Sequence, residues 1–304
     1  MKRFLVTISL VALLALAGQS FAGWLPLVGA SACVPATAVN EVFTTGSMPS
    51  TPVITFTRAS SGSYYNSSNV LLVFGATTDA ARFDYTISGS TATLLYEPAA
   101  TNIALQSNAF TTTWTAYASS TITAAATTSP DGTSDGWSIG PGTSSYGTNQ
   151  TFTYASASYV ASLYLKQLTS TVNIVFDLAG NYDTNQATTA AWVRNNYVAT
   201  ASSGTHEIRY YVNGSSGSWY QFGAQVELTP ASLTTSGPTS YIPTTTATVT
   251  RAADQATFTI PSCVGHLTVT FIDNTTQSIA VSAGSYTLTN TLNEYNIKSI
   301  VGAS

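Results

Sequence analysis

Acid–base chemistry in this 304-residue chain has 13 carboxylates and two histidines to draw on. His206 stands beside Glu207 in THEIRYY, which lacks the helical spacing of a zinc-binding box. No Gly-x-Ser-x-Gly elbow offers a strained nucleophile to it or to His266. Asp177 and Glu227 fall on adjacent strand-like segments, and glycoside hydrolysis would need such a pair roughly 5–10 Å apart. In SPDGTSDGW, Asp131, Thr133 and Asp135 alternate ahead of Gly136. Their hard oxygens suit Ca2+, but the EF-hand glutamate is missing, and Pro-Asp-Gly is also the chemistry of a plain turn. WYQFGAQVEL spaces Trp219, Gln221 and Gln225 so that an indole plate sits beside two carboxamides. Such a group can stack on a flat apolar ring and hydrogen-bond the hydroxyls around its rim.

Strands must position these residues, because helical periodicity is nearly absent. Short alternating runs separated by Gly, Ser, Asn, Thr and Asp recur instead, the pattern of sandwiches and barrels. In SYVASLYLK, Tyr159, Ala161, Leu163 and Leu165 share one face, and Val160, Ser162, Tyr164 and Lys166 the other. VNIVFDL turns Val172, Ile174, Phe176 and Leu178 inward, with Asn173, Val175 and Asp177 outward. HEIRYYV sets Ile208, Tyr210 and Val212 opposite Glu207, Arg209 and Tyr211. Strict alternation over residues 219–228 turns Tyr220, Phe222, Ala224, Val226 and Leu228 inward, and Trp219, Gln221, Gln225 and Glu227 outward. The expected fold is an all-β antiparallel sandwich, each sheet with one dry face.

Only 7% of the residues are charged, while 44% are hydrophobic and 11% aromatic. A core is affordable, and the surface must be made of hydroxyls and amides. Residues 1–22 read as a secretory signal: Lys2 and Arg3, an apolar run, then Ser20-Phe21-Ala22 before a cut at Gly23. A membrane anchor is the other use of such a run, although it is short for a span. Without Lys2 and Arg3, 7 basic residues face 13 acidic ones. A nucleic-acid groove, which needs clustered Lys and Arg, is excluded as an expectation. Cys33 and Cys263 are too few for a cysteine zinc site. After export they can bridge the two ends of the mature chain, or stay as two separate thiols. Residues 23–50 read as an extended lead-in, 51–105 as an N-terminal β segment packing on the sandwich, 106–257 as the sandwich, and 258–304 as a small C-terminal β unit.

RASSGSYYNSSNVL, ARFDY, LLYEPAATNIALQSNAF, FGAQVEL and TSYIPTTTATVTRAAD follow one another as they do in bacteriophage and prophage tail-fibre-like proteins, which the chain resembles over about residues 51–304. YVASLYLK and WYQFGAQVEL resemble strands of jelly-roll carbohydrate-binding modules. The resemblance implies a jelly roll and a non-catalytic fibre component that binds cell-surface polysaccharide or lipopolysaccharide. It also implies association with other fibre or virion subunits and homo-oligomerisation, as a trimer. A structural calcium, common in such modules, would fall to Asp131 and Asp135. The glycan candidates are Tyr164, Lys166, Asp177, Arg209, Trp219, Gln221 and Gln225, with no cofactor otherwise. Among loop aromatics, Trp114 reads as core, while Trp137, Tyr146, Tyr182 and the Trp192–Arg194 pair are further candidates. A secretory signal suits a secreted bacterial adhesin better than a virion protein, and both readings stay open. Neither reading requires an enzyme.

Jelly rolls bring their first and last strands together. Arg58, in FTRAS, and Arg251, in VTRAAD, therefore sit near the two ends of one domain. They are expected to pair with Asp84, Glu97 and Asp254, because a buried charge requires a partner.

Overall fold

The computed structural model describes residues 39–49, 54–85, 91–229 and 237–304. The signal, most of the lead-in and Cys33 lie outside them. The fold is all-β, and its centre is a jelly-roll sandwich of two five-stranded antiparallel sheets. Sheet I runs in the order Val193–Ala201, Ala157–Gln167, Trp219–Leu228, Gly136–Gly140, Thr121–Thr127. Sheet II runs Asn181–Ala187, Asn173–Leu178, Gly204–Tyr211, Gly147–Tyr154, Thr115–Tyr117. Between them lie Leu163, Leu165, Ile174, Phe176, Ile208 and Tyr210, none of them exposed, as simple alternation requires. Trp114 and Tyr146 join the same core.

Alternation fails in Trp219–Leu228, and one residue explains why. Gly223 has φ +65°. Opposite it, the pairing with Ala157–Gln167 slips between Ser162 and Tyr164. One extra residue reverses which side chains face the core. Trp219 and Gln221 therefore point inward before the bulge, and Ala224 and Val226 after it. Phe222 points outward, packing with Leu71, Tyr164 and Tyr241 in a separate small cluster.

The outer face of sheet I is covered by two segments. Asn102 donates to the carbonyls of Ala224 (3.1 Å) and Ile242 (2.8 Å) and accepts from the Val226 amide (3.0 Å). The returning segment after residue 237 lies alongside. The Ile242 amide donates to Gln225 (2.7 Å), and the Thr239 amide and hydroxyl donate to Glu227 (2.5 and 2.7 Å).

The C-terminal residues do not form a separate unit. Asn296–Ala303 pairs with Thr93–Leu95, Asn40–Val42 and His266–Phe271 in one sheet. Gln255–Ile260 likewise pairs with both Thr55–Thr57 and Gly284–Thr287. The 51–105 segment thus divides its contacts. Its hairpin Gly62–Tyr65/Leu71–Ala76 reaches the sandwich through Tyr65, Leu71 and Val73, and the rest shares a second core with the C-terminus. Cys263 is disulfide-bonded. Among the described residues, no helix is long and apolar enough to cross a membrane.

A buried charge cluster joins these layers. Arg58 donates to Asp254 (3.0 Å), Arg82 pairs with Asp254 (2.5 Å) and Glu97 (2.8 Å), and Arg251 lies 3.5 Å from Glu97. All five side chains are 1% exposed or less. Other guanidinium N–H groups donate to the carbonyls of Ser60, Thr77 and Ala80 from Arg58, and of Pro98 from Arg251, while the Nε atoms of Arg82 and Arg251 are buried without a partner. Arg82, the centre of the cluster, was not anticipated from the sequence. Asp84 was expected to join it; its carboxylate accepts the Tyr65 amide at 2.7 Å. Burial alone would raise Glu97, but Arg251, Arg82 and Ser240 override it and hold the carboxyl at about 2.

Such a depressed carboxylate adds stability above its usual pKa and loses that contribution as pH falls from about 4.5 through about 2. Glu41 works in the opposite sense. Its carboxylate is buried without a hydrogen bond, and burial lifts it to about 7. It therefore costs stability as pH rises from about 4.5 through about 7. Urea midpoints measured from pH 2 to 8 should show both limbs. Glu97→Gln is expected to flatten the acid limb, and Glu41→Gln the neutral one. Unchanged profiles in both variants would contradict these assignments.

Candidate functional site

The structure sorts the candidate residues into three groups. Trp219 and Gln221 are fully buried between the sheets; the indole N–H donates to Gln221, which donates in turn to Thr148 (3.1 and 3.2 Å). Gln225 faces outward but lies under the returning segment, also fully buried. These three form no platform, and the Gly223 bulge together with the covering segment is the reason. Tyr164 is 2% exposed beneath the hairpin, while Lys166 emerges beside Trp192, its ammonium 5.9 Å from the ring centre. Asp177 and Arg209 share the outer face of sheet II.

Asp177 and Glu227 cannot cooperate as a carboxylate pair, since they lie on the two opposite outer faces of the sandwich. His206 meets Ser202, at 3.2 Å across a turn, and the ring of Tyr154. In the turn Asp131 accepts the Thr133 amide (3.0 Å) and hydroxyl (2.8 Å), and Asp135 accepts from Ser129 and Asn108. These oxygens serve the turn's own donors, and two carboxylates fall well short of the six to eight oxygens Ca2+ takes. The residues fit a hydrogen-bonded turn better than a cation cage. Among the described residues, no group of three or more His, Cys, Asp or Glu side chains is placed to hold a metal ion.

Among the described residues nothing covers the outer face of sheet II, and the register arranges that face into rows. Asp177 is opposite Tyr182 on one side and Arg209 on the other; Arg209 is opposite Asn149, and Asn149 opposite Thr115. The next row runs Val175, Tyr211, Gly147, Tyr117. Gly147 leaves a gap, and Tyr211 and Tyr117 close over it edge to face, 5.5 Å apart. Arg209 lies against both rings, 5.2 Å from Tyr117 and 5.8 Å from Tyr211. Its guanidinium is fixed by Asp177, which is 1% exposed, and lies 3.7 Å from Glu207. Asn149 donates to Glu207 at 3.2 Å. Burial raises the Tyr211 phenol, which stays a neutral donor at physiological pH. Tyr182 stands 55% exposed at the end of the first row. The face thus offers aromatic rings, a held guanidinium and amide and hydroxyl groups, all on rigid strands. Alternation revealed Arg209, Asp177 and Tyr211; Tyr117 and Gly147 enter only through cross-strand register.

No family model and no curated protein matches the chain. Solved structures do. The CBM22-1 xylan-binding domain from Paenibacillus barcinonensis Xyn10C is 15% identical, with a TM-score of 0.32, covering 43% of this chain and 94% of its own. A CBM4 structure is 16% identical with a TM-score of 0.28, covering 44% and 96%. The enzymatically active domain of Bacteriophage CBA120 tailspike protein 4 is 14% identical with a TM-score of 0.32, covering 42% of this chain and 21% of that one.

Gly147 provides a direct check on the rows. An added Cβ would lie 2.0 Å from the Tyr210 carbonyl oxygen and 2.6 Å from the Tyr211 Cα. Gly147→Ala is expected to destabilise the protein by about 1–3 kcal/mol in urea unfolding and to alter the near-ultraviolet circular dichroism of the Tyr117–Tyr211 pair. Wild-type values of both would contradict the register.

Proposed function

We propose that this chain is a non-catalytic recognition protein that holds a cell-surface polysaccharide or lipopolysaccharide on the open face of sheet II. The observation that carries the reading is the Tyr117–Arg209–Tyr211 group with Asp177, Asn149 and Tyr182 around it. Sugars present apolar ring faces rimmed by hydroxyls, and rigid aromatic rings flanked by fixed polar groups match both features. The separation of Asp177 from Glu227 supports binding without hydrolysis. A formal charge of −4 speaks against nucleic acid as the ligand. The setting we favour is a phage or prophage-derived fibre, or a secreted bacterial adhesin, displayed outside the cell as a homo-oligomer of the trimeric kind.

A second reading is a structural fibre or virion subunit that packs against copies of itself and binds no soluble ligand. The exposed Tyr182 (55%) and Leu228 (57%) favour contacts of that kind. A glycan array that includes bacterial lipopolysaccharides separates the two. The binding reading expects retention of the folded protein on at least one surface glycan, weakened at least tenfold by Tyr211→Ala. No retention on any glycan, or retention indifferent to Tyr211→Ala and Arg209→Ala, would move the assignment to the structural reading.

A further inference from the structure

A cleft of about 850 Å3 lies on the other side of the sandwich, between sheet I and the hairpin Gly62–Tyr65/Leu71–Ala76. That volume is in the range of small-ligand sites. Its wall includes the hairpin with Tyr64 and Tyr65, Lys166 and Arg194 on the Ala157–Gln167 and Val193–Ala201 strands, Trp192 just before the second of these, the returning segment at Ser240 and Tyr241, and Tyr295 from the C-terminal region.

The charges in this cleft are unevenly satisfied. Its carboxylates are engaged, Glu97 by Arg82, Arg251 and Ser240, and Asp84 by the Tyr65 amide. Among the described residues neither Lys166 nor Arg194 forms an ion pair, although the Arg194 charge acts on the buried Glu227 carboxylate beyond Thr239. Arg194 lies 5.5 Å from the centre of the Tyr164 ring and donates from its two terminal nitrogens to the Thr239 carbonyl (2.7 Å) and the Ser162 hydroxyl (3.0 Å). Its Nε is buried without a hydrogen-bond partner. The Tyr295 hydroxyl is also buried without a partner, on a side chain only 9% exposed. Buried polar atoms in native proteins are nearly always satisfied, by protein, water or ligand. Two orphan donors on the lining, Arg194 Nε and the Tyr295 hydroxyl, beside a lysine with no ion pair, form a site that lacks an acceptor.

Trp192 supplies the remaining element. Its ring nitrogen donates to the Thr128 carbonyl at 2.9 Å, which fixes the indole. Tyr220 lies 6.5 Å from it, and the Lys166 ammonium sits over the ring. An ammonium on an indole can meet both the carboxylate and the apolar body of a single sugar.

We propose that this cleft is a second saccharide site, distinct from the sheet II face, and that it takes an acidic sugar: a ring bearing a carboxylate, such as a uronate or a sialate. Lys166 and Arg194 receive the carboxylate, Trp192 receives the ring, and the Tyr295 hydroxyl pairs with a ring hydroxyl. The C-terminal region thereby completes a site on the sandwich.

Calorimetric titration of the full chain tests this with oligosaccharides bearing glucuronate, galacturonate or sialate, each set against its neutral counterpart. At least one acidic member should bind tenfold or more tightly than its neutral counterpart, and added sodium chloride should narrow the gap. Lys166→Gln should abolish the preference for the acid, and Tyr295→Phe should weaken binding several-fold. Tyr211→Ala, on the opposite face, should leave this binding unchanged. Equal affinity for acid and neutral forms, or binding of no acidic member, would overturn the proposal. Binding lost in Tyr211→Ala but kept in Lys166→Gln would also overturn it, because the sugar would then sit on sheet II. Loss of binding on sheet II alone, with the acidic preference intact, would count against the first site and not this one.

Discussion

Three arginines and two carboxylates meet where water does not reach. Taking these charges out of water costs several kcal/mol each unless they find one another and their remaining N–H groups find acceptors. Neighbours in sequence satisfy them only in part, as in the 4.0 Å contact between Arg251 and Asp254. Arg58 and Arg82 come from the N-terminal segment, Glu97 from its link to the sandwich, and Arg251 and Asp254 from the exit. Burial therefore forces the entry and the exit of the sandwich together. Asp254 also accepts the Glu97 amide (2.8 Å), and Glu97 accepts both the amide and the hydroxyl of Ser240 (2.6 and 2.7 Å). The cluster thus extends directly into the returning segment.

The position of that segment decides which surfaces remain for ligands. Held at Ser240, the chain passes over sheet I and seals Gln225, Glu227 and Phe222 beneath it. Among the described residues sheet II has no such cover, and its rows of Tyr117, Arg209 and Tyr211 stay partly exposed. The cleft beside Lys166 arises from the same arrangement, since Ser240 and Tyr241 form part of its wall. The open face and the cleft are both consequences of where one pinned segment lies.

Much of the sandwich was legible because its strands obey a period of two. Ala157–Gln167, Asn173–Leu178 and Gly204–Tyr211 bury the residues that alternation assigns to the core. Trp219–Leu228 breaks the rule at Gly223, and a glycine inside a strand is the signal that could have warned of a bulge. Reading straight through it placed Trp219 and Gln221 outside. Pairing between distant segments leaves no local trace, so the sheet shared by Asn296–Ala303 and Thr93–Leu95 was invisible, and residues 258–304 read as a separate unit. The clasp was half legible: Thr-Arg-Ala repeated in a charge-poor chain pointed to Arg58 and Arg251, with Glu97 and Asp254 among the scarce carboxylates expected to pair with them, whereas Arg82 sat unmarked in ARFDY. Of the open face, Arg209 and Asp177 were found by alternation, and Tyr117 was not, because only register brings it beside Tyr211.

Native-state hydrogen exchange on Asp254→Asn, compared with the wild type, tests the clasp most directly. The account predicts that the Ser240, Ile242 and Thr244 amides lose protection together with that of Glu97, while the amides pairing Gly147–Tyr154 with Gly204–Tyr211 keep theirs. Loss confined to residues next to Asp254, with the returning segment as protected as before, would contradict it.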